Sequence, residues 1–304
     1  QDVRFDAEID NNVVKSSVSG EMGRNFGNKV WNATRFVLMN LEGYNPRENS
    51  RPKLLEDCWI WSRLSMTIIE VNKNLGSYRF SDVIRSLYDF LWRDYCDWYL
   101  ELAKPRLQRK SERQEVQGNL VAILEVALRL LHPVMPFITE ALWQSLPKRP
   151  DCQSSIMISE FPKSDTVKRD LQVEKDMGLM QDIVTSVRTI RSEMNIPNSK
   201  SIRVLLSTTE TNQKTILQGF SNSVGYLTKA EAVDVGKSVV PEGVYGSSVV
   251  SGVEVFVPLD GLVDLSAERE RLEKELDKFE KLIKSIEGKL NNKKFIQNAP
   301  SNIV

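Results

Sequence analysis

The sequence of 304 residues contains a single histidine, His132. That count excludes a HExxH zinc helix and any nucleotide motif built on two histidines. A Ser-His-Asp triad would have to use His132, which stands between leucine and proline in an apolar stretch. A packed or helix-terminating histidine is the better interpretation, so we predict no catalytic residue here.

Cysteine is also scarce. The three cysteines are Cys58, Cys96 and Cys152, an odd number with no CxxC spacing. They indicate neither a disulfide framework nor a zinc site, and they are typical of a reducing cytosol. We therefore predict a cytoplasmic protein without a metal site.

Phosphate-binding loops and membrane spans are missing as well. No GxGxxG occurs, and the GKS at 236–238 lacks the Walker glycine at 231, where Glu231 stands. No apolar run approaches the ~18 residues that span a bilayer, so a membrane is not predicted as a partner. The first residue is not methionine, which predicts that the chain begins inside a longer protein.

Charge is balanced, with 41 lysines and arginines against 41 aspartates and glutamates. Any surface for nucleic acid must therefore be a local patch.

Helical periodicity dominates the first half. After a polar lead-in at 1–23, apolar spacing and Gly/Pro breaks predict a helical bundle, and residues 159–165 read as a linker. The predicted helices are 24–41, 53–75, 81–105, 113–131 and 136–146.

The second half changes character. A connecting helix at 170–194 is followed by a small α+β unit: strand 202–207, helix 212–227, strand 232–235, and a hairpin turning at Ser251-Gly252. From Leu265 the apolar residues step by four and three, which predicts a coiled-coil helix. The fold class is therefore mainly α. Its predicted divisions are a helical domain at 1–162, a connecting helix with a small α+β domain at 163–258, and an incomplete coiled-coil arm at 259–304.

The helix at 24–41 has two dissimilar faces. At about 100° per residue, Arg24, Asn28, Trp31 and Arg35 fall within about 60° of one another. The apolar residues lie on the opposite side. Arginine can bind phosphate, asparagine can pair with adenine, and an aromatic ring can stack on an unpaired base. The alternative is a solvated face whose Trp31 packs under a neighbouring loop.

The third helix carries a second set of polar groups. Its inward face is predicted to hold Leu87, Leu91, Tyr95, Trp98 and Leu102. A basic stretch follows that could bind RNA phosphates, and Glu101 could accept a hydrogen bond from a cytosine amino group. Alternatively, Asp97 and Glu101 pair with neighbours on their own helix. The cations of the stretch are Lys104, Arg106, Arg109, Lys110 and Arg113.

Several segments together resemble the C-terminal third of valyl-tRNA synthetases, class I enzymes. These segments are RNFGNKVWNATRFVLMNL, FLWRDYCDWYLELAKPRL, LLHPVMPFITEALWQSLP, IRSEMNIPNSK and VPLDGLVDLSAERERLEKELDKFEKLI. Their order and approximate spacing match, and the resemblance covers nearly the whole chain. The segment NKVWNATRFVLMN, combined with the terminal heptads, points to the valine enzymes rather than to the isoleucine, leucine or methionine ones.

The resemblance implies a helical anticodon-binding domain, a small linking domain and a C-terminal helical hairpin that contacts the tRNA body. It also implies that the catalytic and editing domains, with their ATP and Mg²⁺, lie outside this chain, which would itself need no cofactor. The implied partner is valine tRNA. The implied RNA-binding residues are Arg24, Asn28, Trp31, Arg35, Glu101, Lys104, Arg106, Arg109, Lys274, Lys278, Lys281 and Lys284.

Two departures from the family pattern carry expectations. Eighteen residues separate Phe5 from Arg24, so we interpret the lead-in as a local insertion. The hairpin retains its first helix and only the start of the return, which would leave the apolar seam exposed and allow self-association. The alternative function is a non-catalytic coiled-coil interaction protein.

Overall fold

The computed structural model describes residues 7–10, 13–46, 52, 54–148, 152–163, 168–237, 239–263 and 265–291. The chain divides into two compact units, residues 1–182 with 222–227 and residues 183–221 with 228–304. The three-part division drawn from the sequence stays a prediction.

The first unit is built mainly from helices, as the periodicity predicted. Apolar faces of these helices supply its core, in which Val37, Ile60, Leu64 and Leu124 are fully buried. Burying one such face per helix against its neighbours is the main stabilising term of a helical bundle. The helices are α1 (Val18–Met39), α2 (Leu55–Gly76), α3 (Phe80–Tyr88), α4 (Leu100–Leu107), α5 (Lys110–Leu131), α6 (Pro136–Ser145) and the first half of α7 (Leu171–Glu193), whose residues from 183 onward belong to the second unit.

The predicted polar lead-in is partly wrong. Strands β1 (Ala7–Asp10) and β2 (Val13–Ser17) pair antiparallel, with an irregular register between Glu8 and Ile9. Helix α1 then begins at Val18 rather than at Arg24. The polar composition hid short β-branched runs such as Val13-Val14, which favour strands.

The third predicted helix is continuous but not uniform. Between α3 and α4, residues Asp89–Tyr99 form a π-helical segment, and the N–H of Leu100 still bonds to the carbonyl of Tyr95. Bonding from i to i+5 makes each turn wider than the usual 3.6 residues. Tyr99 is therefore fully buried, while Trp98, predicted to face inward, is only half-buried. The helix also continues through Pro105 to Leu107, beyond its predicted end.

Hydrogen bonds tie α7 to α2 within the first unit. The hydroxyl of Ser62 donates to Oε1 of Glu174 at 2.7 Å. Glu174 also accepts from Arg169 at 2.8 Å and lies 3.8 Å from Arg63. These contacts fix the start of α7 against the first turns of α2.

The second unit contains a four-stranded sheet in the order β4-β3-β6-β5. Helix α8 (Thr211–Thr228) connects the parallel pair β3 and β4, whereas β6 is antiparallel to β3 and β5. The predicted hairpin is confirmed: Ser251 and Gly252, with φ of 48° and 80°, form the two-residue turn. The strands are β3 (Ile202–Ser207), β4 (Ala230–Gly236), β5 (Tyr245–Val250) and β6 (Val253–Pro258).

Helix α9 (Leu265–Asn291) is the predicted heptad helix. Its seam is exposed where the structure describes it: Leu276 is 61% exposed, Phe279 59% and Ile283 54%. The side chain of Leu272, the predicted return after residue 291 and residues 164–165 of the predicted linker lie outside the described residues. A coiled coil therefore stays a prediction. Of the helices described, none combines the length and apolarity needed to cross a bilayer.

Candidate nucleic-acid interface

Helix α1 presents the two faces that its sequence predicted. Phe26, Val30, Ala33 and Val37 are buried, with exposed fractions of 8% or less. On the opposite side Arg24, Asn28 and Arg35 are exposed and Trp31 is 49% exposed, so about half of the Trp31 side chain is open to solvent. Neither arginine forms an ion pair with a described residue. We call Arg24, Asn28, Trp31 and Arg35 the α1 stripe.

Aromatic and ionic contacts fix the rotation of α1. Nζ of Lys29 lies 2.7 Å from Oδ1 of Asp97 and 4.9 Å from the ring centroid of Trp92. The Trp92 ring stacks on Tyr88 at 5.2 Å, and Tyr88 contacts Phe26 at 5.3 Å. The π-helical segment thus holds α1 with its stripe turned outward.

A second contact to α1 comes from α4, the helix that follows the π-helical segment. Nζ of Lys104 is 5.9 Å from the Phe36 ring and 2.5 Å from Oε1 of Glu101. The alternative that Glu101 pairs with its own helix neighbour is therefore realised, whereas Asp97 pairs across to α1 instead. Both Glu101 and Lys104 remain partly exposed beside α1, so an RNA base could still reach them.

Arg106 must be removed from the predicted RNA-binding set. Its side chain is 4% exposed, and Nη1 and Nη2 donate to the two carboxylate oxygens of Asp57 at 2.9 and 2.8 Å. Nε donates to Glu112 at 3.0 Å, and Tyr99 donates to the same Asp57 at 2.7 Å. A buried bidentate pair of this kind joins α4 to α2, and at 4% exposure the guanidinium is out of reach of a phosphate.

The charges of this cluster are tightly coupled. Burial alone would disfavour the cation, but the hydrogen bond and charge of Asp57 outweigh it and raise the pKa of Arg106. Burial raises the pKa of Glu56, the third carboxyl near this guanidinium. Burial likewise raises the pKa of Tyr99, with Asp57 adding to the shift. The arginine is therefore always charged and depends on its buried carboxylate.

The rest of the basic stretch is less available than its composition predicted. Arg109 pairs with Glu112 at 3.0 Å, and Arg113 lies 3.6 Å from Glu42. Arg109 is nevertheless 54% exposed, so the structure leaves its predicted RNA contact possible. Lys110 is exposed and has no ion pair within the described chain.

The four predicted lysines of α9 are all exposed. Lys274 pairs with Glu270 and Lys281 with Asp277, both at 2.6 Å. Exposed i,i+4 pairs are weak and exchange readily for phosphate. Lys278 and Lys284 form no ion pair with a described residue.

Two residues beside the stripe were not predicted. Asn32 is exposed next to Trp31 and adds a second amide. Lys29 fixes the helix through Asp97, 68 residues further along the chain, and no local pattern reveals so distant a contact. The amide could have been found from the helical wheel alone, since Asn32 lies one turn after Asn28.

Comparison with known protein families decides the assignment. Residues 57–206 match the anticodon-binding domain of tRNA ligases, and residues 264–304 match the valyl tRNA synthetase tRNA binding arm. The chain belongs to the valyl-tRNA synthetase family. The resemblance inferred from the sequence is thereby confirmed. Helix α1 precedes the first matched range, whereas the four α9 lysines lie inside the second.

Individual members of the valyl-tRNA synthetase family are similar over nearly the whole chain. The valine–tRNA ligase of Listeria monocytogenes is 41% identical over 92% of this chain and 32% of its own length. That of Enterococcus faecalis is 37% identical over 100% of this chain and 34% of its own length. That of Thermotoga maritima is 40% identical over 92% of this chain and 31% of its own length. The chain thus spans about a third of the length of the curated relatives it matches.

Proposed function

We propose that this chain binds tRNA, with the α1 stripe at the anticodon and the exposed face of α9 on the tRNA body. One observation carries the proposal for the stripe. Two exposed guanidinium groups, an amide and a half-exposed indole share one outward face of a helix whose other face is buried. Such a face combines phosphate binding with base stacking, the two interactions that single-stranded RNA offers.

Each side chain has a distinct role in this proposal. Arg24 and Arg35 bind phosphates, and Trp31 stacks on an unpaired base. Asn28 pairs with the adenosine of a valine anticodon. Glu101, held beside α1 by Lys104, accepts a hydrogen bond from the amino group of the cytosine in the same anticodon.

The specificity for valine tRNA belongs to the same proposal and rests on the family of the chain. The parent enzyme would use ATP and Mg²⁺ to activate valine in a catalytic domain outside these residues, in the cytoplasm. We accordingly expect no valine-dependent ATP–pyrophosphate exchange from this chain alone. Robust exchange would contradict that division of labour.

A second candidate function is self-association through α9. The observation in its favour is the exposed seam, on which Leu276, Phe279 and Ile283 are each more than half exposed. Sedimentation across a wide concentration range, with and without valine tRNA, separates the two functions. A scaffold would dimerise regardless of RNA and would not distinguish between anticodons.

The proposal is tested by titrating valine tRNA transcripts into the protein over a range of salt concentrations. Changing the second or third anticodon base should weaken binding. The double variant Arg24→Ala/Arg35→Ala should also bind more weakly, and its salt slope should be smaller by about 1.4, since each contact to single-stranded phosphate contributes about 0.7.

A matched control removes the same charge elsewhere in the first unit. Arg85 and Arg93 are 75% and 71% exposed on other helices, so Arg85→Ala/Arg93→Ala should retain both anticodon discrimination and salt slope. Equal losses in the two double variants would mean that only net charge matters. Unchanged binding of Arg24→Ala/Arg35→Ala would remove the stripe from the site.

A further inference from the structure

The turn that follows α7 in the second unit is held by hydrogen bonds from cationic side chains. We call residues 195–200, which lead from α7 towards β3, the α7–β3 turn. It contains Asn195 in the left-handed conformation, with φ of 51°. Nη2 of Arg191 donates to the carbonyls of Pro197 and Lys200 at 2.7 and 2.8 Å. The N–H of Lys200 also bonds to the carbonyl of Pro197 at 3.0 Å, which closes the turn.

Arg191 anchors this turn to the interior of the second unit. The residue is 5% exposed, and its Nη1 donates to the carbonyl of Thr228, at the end of α8, at 3.1 Å. A hydrogen bond from a cation is roughly twice as strong as one between neutral groups. The backbone of Lys200 is therefore fixed on a buried side chain, just before β3 begins.

The side chain of Lys200 extends from this fixed backbone to the base of α9. Its Nζ donates to the carbonyls of Gly261 and Leu262 at 3.2 and 3.1 Å, 61 and 62 residues further along the chain. Leu262 stands shortly before α9, which begins at Leu265. Lys200 is exposed and forms no ion pair with a described residue. Its ammonium group is thus committed to the segment from which α9 extends.

The sheet itself holds this segment only as far as Leu259. That residue is 3% exposed, and its N–H bonds to the carbonyl of Val244 at 2.9 Å. Beyond it Gly261 is exposed with φ of 70°, in the left-handed region that glycine adopts without a steric cost. The N–H of Leu262 bonds back to Leu259 at 3.0 Å. The two hydrogen bonds from Lys200 therefore act where the chain turns away from the sheet.

We propose that Lys200 is a positioning residue for tRNA binding: its ammonium group ties the base of α9 to the α7–β3 turn and sets the direction in which the helix leaves the sheet. This role rests on the proposed contact between α9 and the tRNA body. A helix that already points in the binding direction does not lose that freedom on binding. Lys200 thereby raises the affinity for RNA without touching it.

Hydrogen exchange of the Leu262 amide tests the tie in the absence of RNA. Lys200→Met keeps the length of the side chain and removes its donors. Exchange of that amide, followed by NMR in the full chain, should become about tenfold faster, which corresponds to about 1.4 kcal/mol for the lost hydrogen bonds. Lys200→Arg retains a cationic donor and should restore most of the protection.

Lys229→Met is the matched control. Lys229 is also exposed, and its Nζ donates at 3.2 Å to the carbonyl of Asn198, in the α7–β3 turn rather than at the base of α9. The substitution removes the same charge and a hydrogen bond to the same turn. Exchange of the Leu262 amide should therefore stay as it is in the unmodified chain.

Binding of valine tRNA tests the consequence. The affinity of Lys200→Met should fall by up to the same factor of about ten, because it scales with the fraction of protein whose α9 points in the binding direction. The salt slope should stay unchanged, since no phosphate contact is lost. Lys229→Met should bind as the unmodified chain does.

Three results would overturn the proposal. The first is an exchange rate of the Leu262 amide that is unchanged in Lys200→Met or raised equally in Lys229→Met. The second is a salt slope smaller by about 0.7–0.9 in Lys200→Met, because the lysine would then bind a phosphate itself. The third is faster exchange with unchanged tRNA affinity.

The variant Lys278→Ala/Lys284→Ala separates the two ways in which the third result can arise. Weaker tRNA binding by this variant would mean that α9 contacts the RNA and that only the role of Lys200 fails. Unchanged binding would mean that the proposed contact between α9 and the tRNA body fails as well.

Discussion

Replacing Arg106 with alanine tests the reassignment of this residue from RNA binding to structure. The guanidinium makes two hydrogen bonds to Asp57, whose side chain is fully buried, and one each to Glu112 and Glu56. Truncation leaves the Asp57 carboxylate buried, with Tyr99 as its remaining hydrogen-bond donor in the described chain. The variant therefore loses more than a surface ion pair would.

The size of the loss follows from burial. Removing one partner of a buried ion pair costs about 3–5 kcal/mol, whereas an exposed pair contributes about 0–1 kcal/mol. With a shift of about 2–4 °C per kcal/mol, the first unit of Arg106→Ala should melt about 6–20 °C lower. Arg106→Lys should fall in between, because an ammonium cannot bind both carboxylate oxygens in the same planar geometry.

Calorimetry and urea unfolding measure these differences, and Arg109→Ala is the matched control. Arg109 is 54% exposed and pairs with the same Glu112, so its loss should cost less than about 1 kcal/mol. RNA affinity is measured on the folded fraction of each variant. An Arg106→Ala protein that keeps its stability within 1 kcal/mol and loses RNA binding would refute the reasoning.

Three further outcomes are expected. Thiol labelling at pH 8 should modify exposed Cys152 and spare Cys96, because burial raises the pKa of Cys96 from 9.0 to about 12 and lowers its thiolate fraction about a thousandfold. Glu174→Gln should destabilise the first unit at pH 7 but much less at pH 3. The hydrogen bond from Arg169 lowers the pKa of Glu174. The stabilisation by Glu174 is therefore present above the ordinary glutamate pKa and is lost as the pH falls through the lowered native value. An equal effect of the substitution at both pH values in urea unfolding would contradict this. Lys29→Met should lower the free energy of unfolding by about 1 kcal/mol, since its ion pair with Asp97 is partly exposed. It should also weaken tRNA binding while leaving the salt slope nearly unchanged. A change of slope like that of the double arginine variant would place Lys29 on the RNA instead.

The spacing of apolar residues along the sequence predicted the helices, their buried faces and the hairpin turn. The two faces of α1, the turn at Ser251-Gly252 and the helix bounds other than the start of α1 all follow from spacing and from turn-forming residues. The outward position of Arg24 and Arg35 follows from the same geometry, because the buried apolar face fixes where the opposite face points.

The basic stretch shows where that reasoning stops. A run of arginines and lysines looks equally suited to phosphate whether its members are exposed or buried. The carboxylate that captures Arg106 is 49 residues away on α2, so only the tertiary fold identifies it. The π-helical segment was also missed, because the spacing of its residues is that of an α-helix and the burial of both Tyr95 and Tyr99 is visible only in the tertiary fold.

The π-helical segment also sets how this region tolerates changes in length. Deleting one exposed residue, such as Arg93, would rotate every residue beyond it relative to those before it, since each residue of an α-helix contributes about 100°. Asp97 would then leave Lys29, and Tyr99 would leave Asp57. Insertions and deletions here are therefore constrained by the two partners on α1 and α2.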